Sequence, residues 1–187
     1  MNTIQYTQLA PHHFDRVIEL GNAVHGDNYL DHQQLDAYYQ QSFANGINAS
    51  WVALDGERLV GFRLTWAAGN WTPDQWCTTD GWGLDPTRVC YFKCNTVDSD
   101  YRGHGIGSTL LKSSIDCARD QGAQGGLAHI WLASPGNSAY RYFSRCGGEE
   151  IKRHPNKWRE LAINDGYDCP VCDELCSCTA AEMLIRF

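Results

Sequence analysis

Residues 97–107 read Val-Asp-Ser-Asp-Tyr-Arg-Gly-His-Gly-Ile-Gly, and this stretch joins two segments of different periodicity. Residues 89–97 upstream are strand-like. Residues 105–120 downstream set Ile106, Leu110, Leu111, Ile115 and Ala118 on one helical stripe. A strand that runs through glycines into a helix leaves successive backbone N–H groups uncovered by side chains, and the positive end of the helix dipole lies at the same place. That combination binds a phosphate or a pyrophosphate. The alternative is a tight turn that needs glycine for its geometry alone. Two nucleotide-binding patterns do not fit. The dinucleotide fingerprint asks for a further glycine where Ser108 stands, and the P-loop asks for a lysine after its last glycine, which does not follow Gly107.

The rest of the chain arranges itself around this turn. At 187 residues, 43% apolar and 20% charged, it fits one globular domain with a core large enough to fold unaided. Residues 3–9 alternate as a short strand. Pro11 opens a helix with Phe14, Val17 and Ile18 on one stripe, and Asp31 can cap a second helix carrying Leu35, Tyr39 and Phe43, which Asn45-Gly46 ends. Residues 51–54 and 58–66 make a hairpin through Asp55-Gly56. Beyond the glycine turn, 127–133 reads as a buried strand, 138–146 as a short helix stopped by Gly147-Gly148, and 149–153 and 180–187 as strands. Two segments break the pattern. Residues 67–88 are too long for an ordinary loop and hold Trp71, Trp76 and Trp82; residues 154–178 are irregular and hold four of the nine cysteines.

The formal net charge of −7 argues against a chain whose task is to grip nucleic acid or anionic lipid, and it suits a cationic or amine-bearing partner. The first residues carry no basic and apolar leader, and no run approaches a membrane span. With an odd count of cysteines, this places the chain in the cytoplasm with reduced thiols, where clustered cysteines point to metal rather than disulfide.

On Arg102-Gly103-His104-Gly105-Ile106-Gly107 the sequence resembles the GCN5-related N-acetyltransferase (GNAT) superfamily, which carries an Arg/Gln-x-x-Gly-x-Gly/Ala turn between its fourth strand and third helix. Residues 97–101 look like the family's lead-in. Residues 137–148, followed by Glu149-Glu150-Ile151, are similar to the family's helix after the fifth strand. The order of elements agrees over residues 3–153 and the final strand. The resemblance implies a single α+β domain over residues 1–187, with a mixed, mostly antiparallel sheet of about seven strands flanked by four helices. Residues 67–88 then form a Trp-rich insertion, and 154–178 a Cys-rich insertion before the last strand.

The resemblance also implies a chemistry. Acetyl-CoA would lie where the fourth and fifth strands splay apart. Backbone amides of Arg102, Gly103, His104, Gly105, Ile106 and Gly107 would hold its pyrophosphate, helped by Ser108. The backbone near Val97 would pair with the pantetheine arm and polarise the thioester carbonyl, and Asn137 would reach the pantetheine or thiol end. The implied activity is transfer of an acetyl group to a primary amine, on a small molecule or a peptide, by direct attack. A non-catalytic acyl-CoA-binding or sensor protein of the same fold is the alternative.

That alternative is motivated by missing groups. An amine attacks only when neutral, and a lysine-type amine has a pKa of about 10.4, so a base or a water chain to one is useful. The fourth strand, residues 89–97, has no carboxylate; Asn95, on one strand face with Val97, could position a water. The family's tyrosine acid falls on Phe143 counting back from Gly147, or on Ser144 counting forward from Asn137. Tyr140 is the substitute and Tyr142 the second choice. His129 reads either as a base or as a hydrogen-bonded core histidine. Residues 25–29 read either as an acceptor loop or as a capping turn. The tryptophans are an aromatic wall for a cationic substrate, a hydrophobic plug, or a contact in a homodimer. Cys169, Cys172, Cys176 and Cys178 form a C-x2-C-x3-C-x-C cluster that would satisfy a tetrahedral structural zinc. Free or redox-paired thiols are the alternative, and iron–sulfur spacings differ.

Overall fold

A computed structural model describes residues 3–173 and 175–187. The chain opens with β1 (Gln5–Gln8), a 3-10 turn at Pro11–His13 and α1 (Phe14–His25). The helix expected from Pro11 therefore begins as a 3-10 turn. Asp31 caps α2 (His32–Gln41): its carboxylate accepts from the Gln34 amide at 2.7 Å, and the Gln34 side chain accepts from the Asp31 amide at 3.1 Å. Asn45-Gly46 does more than end this helix. Both residues take positive φ, 54° and 77°, and form the turn of a small hairpin between β2 (Phe43–Ala44) and β3 (Ile47–Asn48).

The remaining elements are β4 (Trp51–Asp55), β5 (Arg58–Trp66), β6 (Val89–Val97), α3 (Ile106–Asp120), β7 (Gly125–Trp131), α4 (Ser138–Arg145), β8 (Glu149–His154), α5 (Arg159–Asn164) and β9 (Ala180–Arg186). The stretch 154–178, expected to be irregular throughout, thus contains one short helix. Seven strands form one sheet in the order β1-β4-β5-β6-β7-β9-β8. Among the described residues its pairings are antiparallel except β6 with β7. No helix of the described residues is long and apolar enough to cross a membrane.

Each face of the sheet is covered by its own core. On one face, Leu111 and Ile115 of α3 and Phe143 of α4 pack on Phe92, Ile130 and Met183. On the other, Phe14 and Val17 of α1 and Leu35 of α2 pack on Val52, Phe62 and Leu64. These two helices leave the β6–β7–β9 side of that face bare, and the Trp-rich segment covers it: Trp82 is fully buried against Val89, Leu127 and Leu184. Trp71 donates to the Val89 carbonyl at 2.8 Å and lies 6.2 Å from the Trp82 ring centre. Of the three readings of this segment, the hydrophobic plug is the one these contacts describe.

Two local devices open the sheet. The pairing of β6 with β7 runs only through Val89–Gly125, Cys90–Gly126 and Tyr91–Leu127. A Cβ on Gly126 would sit 2.2 Å from the Phe92 ring, so glycine lets the strands meet at this base before they part. A bulge in β6 leaves Lys93 without a partner between the Leu64–Cys94 and Thr65–Phe92 pairs. It turns the strand over: Cys90 and Phe92 face α3, whereas Cys94 faces α1 and α2.

Candidate active site

Beyond Tyr91 the two parting strands flank a cleft of about 1120 Å³. At its α3 end lies the glycine turn. Gly103 and Gly105 take φ of 81° and 79°, the left-handed region that glycine enters without strain. No side chain caps α3, and its first intrahelical bond runs from the Thr109 amide to the Gly105 carbonyl at 3.0 Å. The amides of Ile106, Gly107 and Ser108 therefore point out of the helix start toward the cleft. The Arg102 guanidinium donates to the Val97 carbonyl at 3.1 Å, tying the turn to β6.

β6 supplies a row of backbone groups below this turn. The Asp98 amide donates to Val60 of β5 at 3.0 Å, so by alternation the amides of Asn95 and Val97 face the opening. The Asn95 side chain packs under Gly107, where an added Cβ would meet its Nδ2 at 3.1 Å; its Oδ1 is buried with no partner among the described residues. An uncapped helix start, glycine-bared amides and an orphaned acceptor fit a long pyrophosphate-bearing ligand with amide groups in its arm.

The predicted residues are not all brought together. Val97, Arg102, Gly103, Gly105, Ile106, Gly107, Ser108 and Asn95 line the cleft. His104 is exposed, with Nδ1 3.3 Å from the Tyr101 carbonyl. Asn137 is exposed at φ 52°, and its neighbours Ser134, Pro135 and Ser138 line the wall instead. Tyr140 turns outward to Glu150, whose carboxylate raises its pKa. Tyr142 lines the cleft. Its hydroxyl accepts from Arg63, a fully buried β5 guanidinium lying 5.1 Å from the Phe92 ring centre. With that lone pair occupied, the Tyr142 hydrogen is free to point into the cleft.

The opposite wall is built from side chains of separate segments. At the apex where the strands part, the His129 Nε2–H donates to the Trp76 carbonyl at 2.7 Å, since a carbonyl can only accept. Nδ1 is then the acceptor for the Tyr91 hydroxyl at 2.9 Å. Burial, aided by the Lys157 charge, pushes the His129 pKa down to about 4, so the ring is neutral at pH 7. Behind it, Glu182 of β9 is fully buried. It accepts from the Thr78 amide (2.7 Å), Trp82 Nε1 (2.8 Å) and His154 Nε2 (2.9 Å). Burial alone would raise its pKa, but these hydrogen bonds outweigh it and lower the net value. His129, His154 and Glu182 lie close enough to share an ion. With both nitrogens of His129 and both oxygens of Glu182 already hydrogen-bonded, they read as a satisfied network that pins the Trp-rich segment to the sheet.

Two lysines enter the same wall. Lys93 Nζ sits 5.3 Å from the Tyr38 ring centre and 5.5 Å from that of Trp66, and Lys157 Nζ sits 5.4 Å from that of Trp76. Burial lowers both pKa values, and no carboxylate forms an ion pair with either among the described residues. Close by, His25 Nε2 lies 2.8 Å from Thr96 Oγ1 and 3.8 Å from Cys94 Sγ. Burial raises the Cys94 thiol, but His25 and hydrogen bonds from Thr96 and Tyr29 outweigh it and bring it to about 7. Sequence reasoning missed Arg63, Lys93, Tyr91, Lys157 and Glu182. A charged residue inside an otherwise apolar strand was the available signal for Arg63, Lys93 and Glu182; Lys157 carried none.

Comparison with known proteins agrees with this geometry. The Acetyltransferase (GNAT) family profile matches residues 14–147. An uncharacterized N-acetyltransferase of Methanocaldococcus jannaschii is 33% identical over 54 residues, a stretch spanning 29% of this chain and 23% of that protein. Among solved structures, the NatC complex bound to Gag peptide and CoA superposes with a TM-score of 0.70 at 16% identity, covering 100% of this chain and 99% of that one. The Salmonella typhimurium yncA protein with its cofactor acetyl-CoA gives 0.68 at 17%, covering 99% and 94%. A profile that spans most of the chain, and the same fold around a CoA-sized cleft, lead to one assignment: this chain belongs to the GNAT acetyltransferase family.

Proposed function

We propose that this protein transfers the acetyl group of acetyl-CoA to the amine of an acceptor that also carries an anionic group, such as a carboxylate. The uncapped start of α3 above the parting of β6 and β7 carries the reading. Bound acetyl-CoA supplies an activated thioester that a neutral amine attacks directly. Amides of Ile106, Gly107 and Ser108 hold the pyrophosphate, and the Val97 and Asn95 amides orient the arm and donate to the thioester carbonyl. The thioester end then reaches the apex, beside Tyr91 and His129. The amine donates to the Tyr91 oxygen, which the hydrogen bond from the Tyr91 hydroxyl to neutral His129 Nδ1 holds in place, and after attack the amine proton leaves through water in the cleft. Tyr142, oriented by Arg63, donates to the departing thiolate. This replaces Tyr140 in that role, because Tyr140 faces Glu150.

Lys93 and Lys157 favour the anionic part of the acceptor: half-buried cations with no ion-pair partner among the described residues gain from one. The overall acidic balance suggests a cationic partner, but the charge inside the cleft has the opposite sign. We place the reaction in the cytoplasm, where thiols stay reduced. The cofactor set is acetyl-CoA as cosubstrate and, apart from the chemistry, a structural zinc at the cysteine cluster.

The test is thiol release from acetyl-CoA across a panel of amines with and without a carboxylate. Turnover confined to anionic amines is expected. Binding of CoA without turnover on any amine would instead make the chain an acyl-CoA sensor. Cys94→Ser should keep most of the activity if attack is direct, and its inactivity would point to an acetylated cysteine.

A further inference from the structure

The C-terminal cysteines come together, the first and last lying nine positions apart in the chain. Cys169, Cys172, Cys176 and Cys178 offer four sulfurs that all lie within 4.8 Å of one another. Cys178 Sγ is 3.7 Å from both Cys169 Sγ and Cys172 Sγ. Those separations are far beyond a disulfide bond of about 2.05 Å. They match the roughly 3.8 Å edge of a tetrahedron whose centre lies about 2.3 Å from each sulfur, the zinc–thiolate length. The soft, all-thiolate donor set suits zinc, as it also suits iron. Three of the four cysteines are buried, under Trp131 of β7, Trp158 and Tyr167.

The cluster is also tied to the acceptor half of the cleft. Trp131 and Cys176 line the cleft themselves. The Tyr167 ring lies 6.4 Å from Tyr29. The Asp168 carbonyl presses on the turn after α1 so closely that a Cβ on Gly26 would lie 2.1 Å from it. The residues just before Cys169 therefore wedge under the segment that carries His25 and Tyr29, while the cysteines themselves stand on the open end of β7.

We propose that Cys169, Cys172, Cys176 and Cys178 bind one zinc ion, and that this clasp joins the α1–α2 turn to β7 as a fixed wall of the acceptor side. The ion takes no part in the chemistry, since all four positions around it are filled by sulfur. The metal half of this proposal stands without the acetyl-transfer reading; the kinetic half rests on it.

The experiment uses the full chain purified from zinc-supplemented cells. Metal analysis should find about one zinc per chain, released in step with modification of these four thiols. Reconstitution with cobalt(II) should give the visible absorption of a tetrahedral thiolate site. Iron, a disulfide among the four, or thiols that react freely in metal-free protein of unchanged fold would overturn the site. Cys172→Ser and Cys178→Ser should lose the metal and raise the acceptor KM roughly tenfold, with acetyl-CoA affinity changing far less. If both variants unfold, the chelated wild-type chain supplies the same comparison. Loss of metal with an unchanged acceptor KM would overturn the wall.

Discussion

The two halves of the cleft are built from different materials. The half assigned above to acetyl-CoA is backbone: amides of residues 95–108, freed by Gly103 and Gly105 and by the absence of a cap on α3. The half assigned above to the acceptor is side chains from four segments, with Tyr91 and Lys93 from β6, His129 from β7, His25 from α1 and Lys157 before α5. A backbone site needs little more than a local conformation, so one contiguous motif specifies it. A side-chain site needs distant segments placed to within a fraction of an ångström, so it can be retuned without disturbing the first.

The largest expected effect breaks the backbone half. Gly105→Glu forces a side chain onto φ 79° and puts a carboxylate where the phosphates would lie; calorimetry should show acetyl-CoA affinity down about 100-fold or more. The next separates the halves. His129→Ala should lower kcat roughly 30-fold and Tyr91→Phe about tenfold, with acetyl-CoA affinity unchanged; a parallel loss of affinity would show that the halves are coupled. His129 also gives a pH signature. Its folded pKa of about 4 lies below the ordinary 6.5, so the unfolded chain binds the proton more readily between those values. Its contribution is full above pH 6.5 and fades as pH falls toward 4, by up to about 3 kcal/mol. Denaturation followed across that range should be flatter for His129→Gln.

Lys93→Ala or Lys157→Ala should raise the KM of an anionic acceptor about tenfold while barely changing that of a neutral amine. Equal effects on both acceptors would remove the anionic group from the reading. The smallest effect belongs to Tyr140→Phe, which should leave kcat within about twofold, whereas Tyr142→Phe should not.

How far each half could be read follows from the same contrast. The strand, turn and helix around Gly103–Gly107 were legible because the period changes from two to 3.6 across glycines that occupy positive φ. Strand β6 matches its expected bounds for that reason. The small hairpin at Asn45-Gly46 was missed because the same dipeptide also ends helices. Tyr140 was preferred by counting along a helix face. The rotation of α4 on the sheet, which turns Tyr142 inward toward Arg63, is decided by packing around Phe143.

The sequence by itself determined the family, the order of most elements, the glycine turn before α3 and the grouping of four cysteines, because each of these is local in the chain. Only the tertiary structure decided that the tryptophans plug the sheet rather than line the substrate site. It also decided that Glu182 meets Trp82 and Thr78 from 100 and 104 residues away, and that a bulge re-aims β6 at Lys93. Those contacts join residues remote in sequence, and their geometry is set by how the sheet twists, parts and is covered. No local pattern of residue types encodes that.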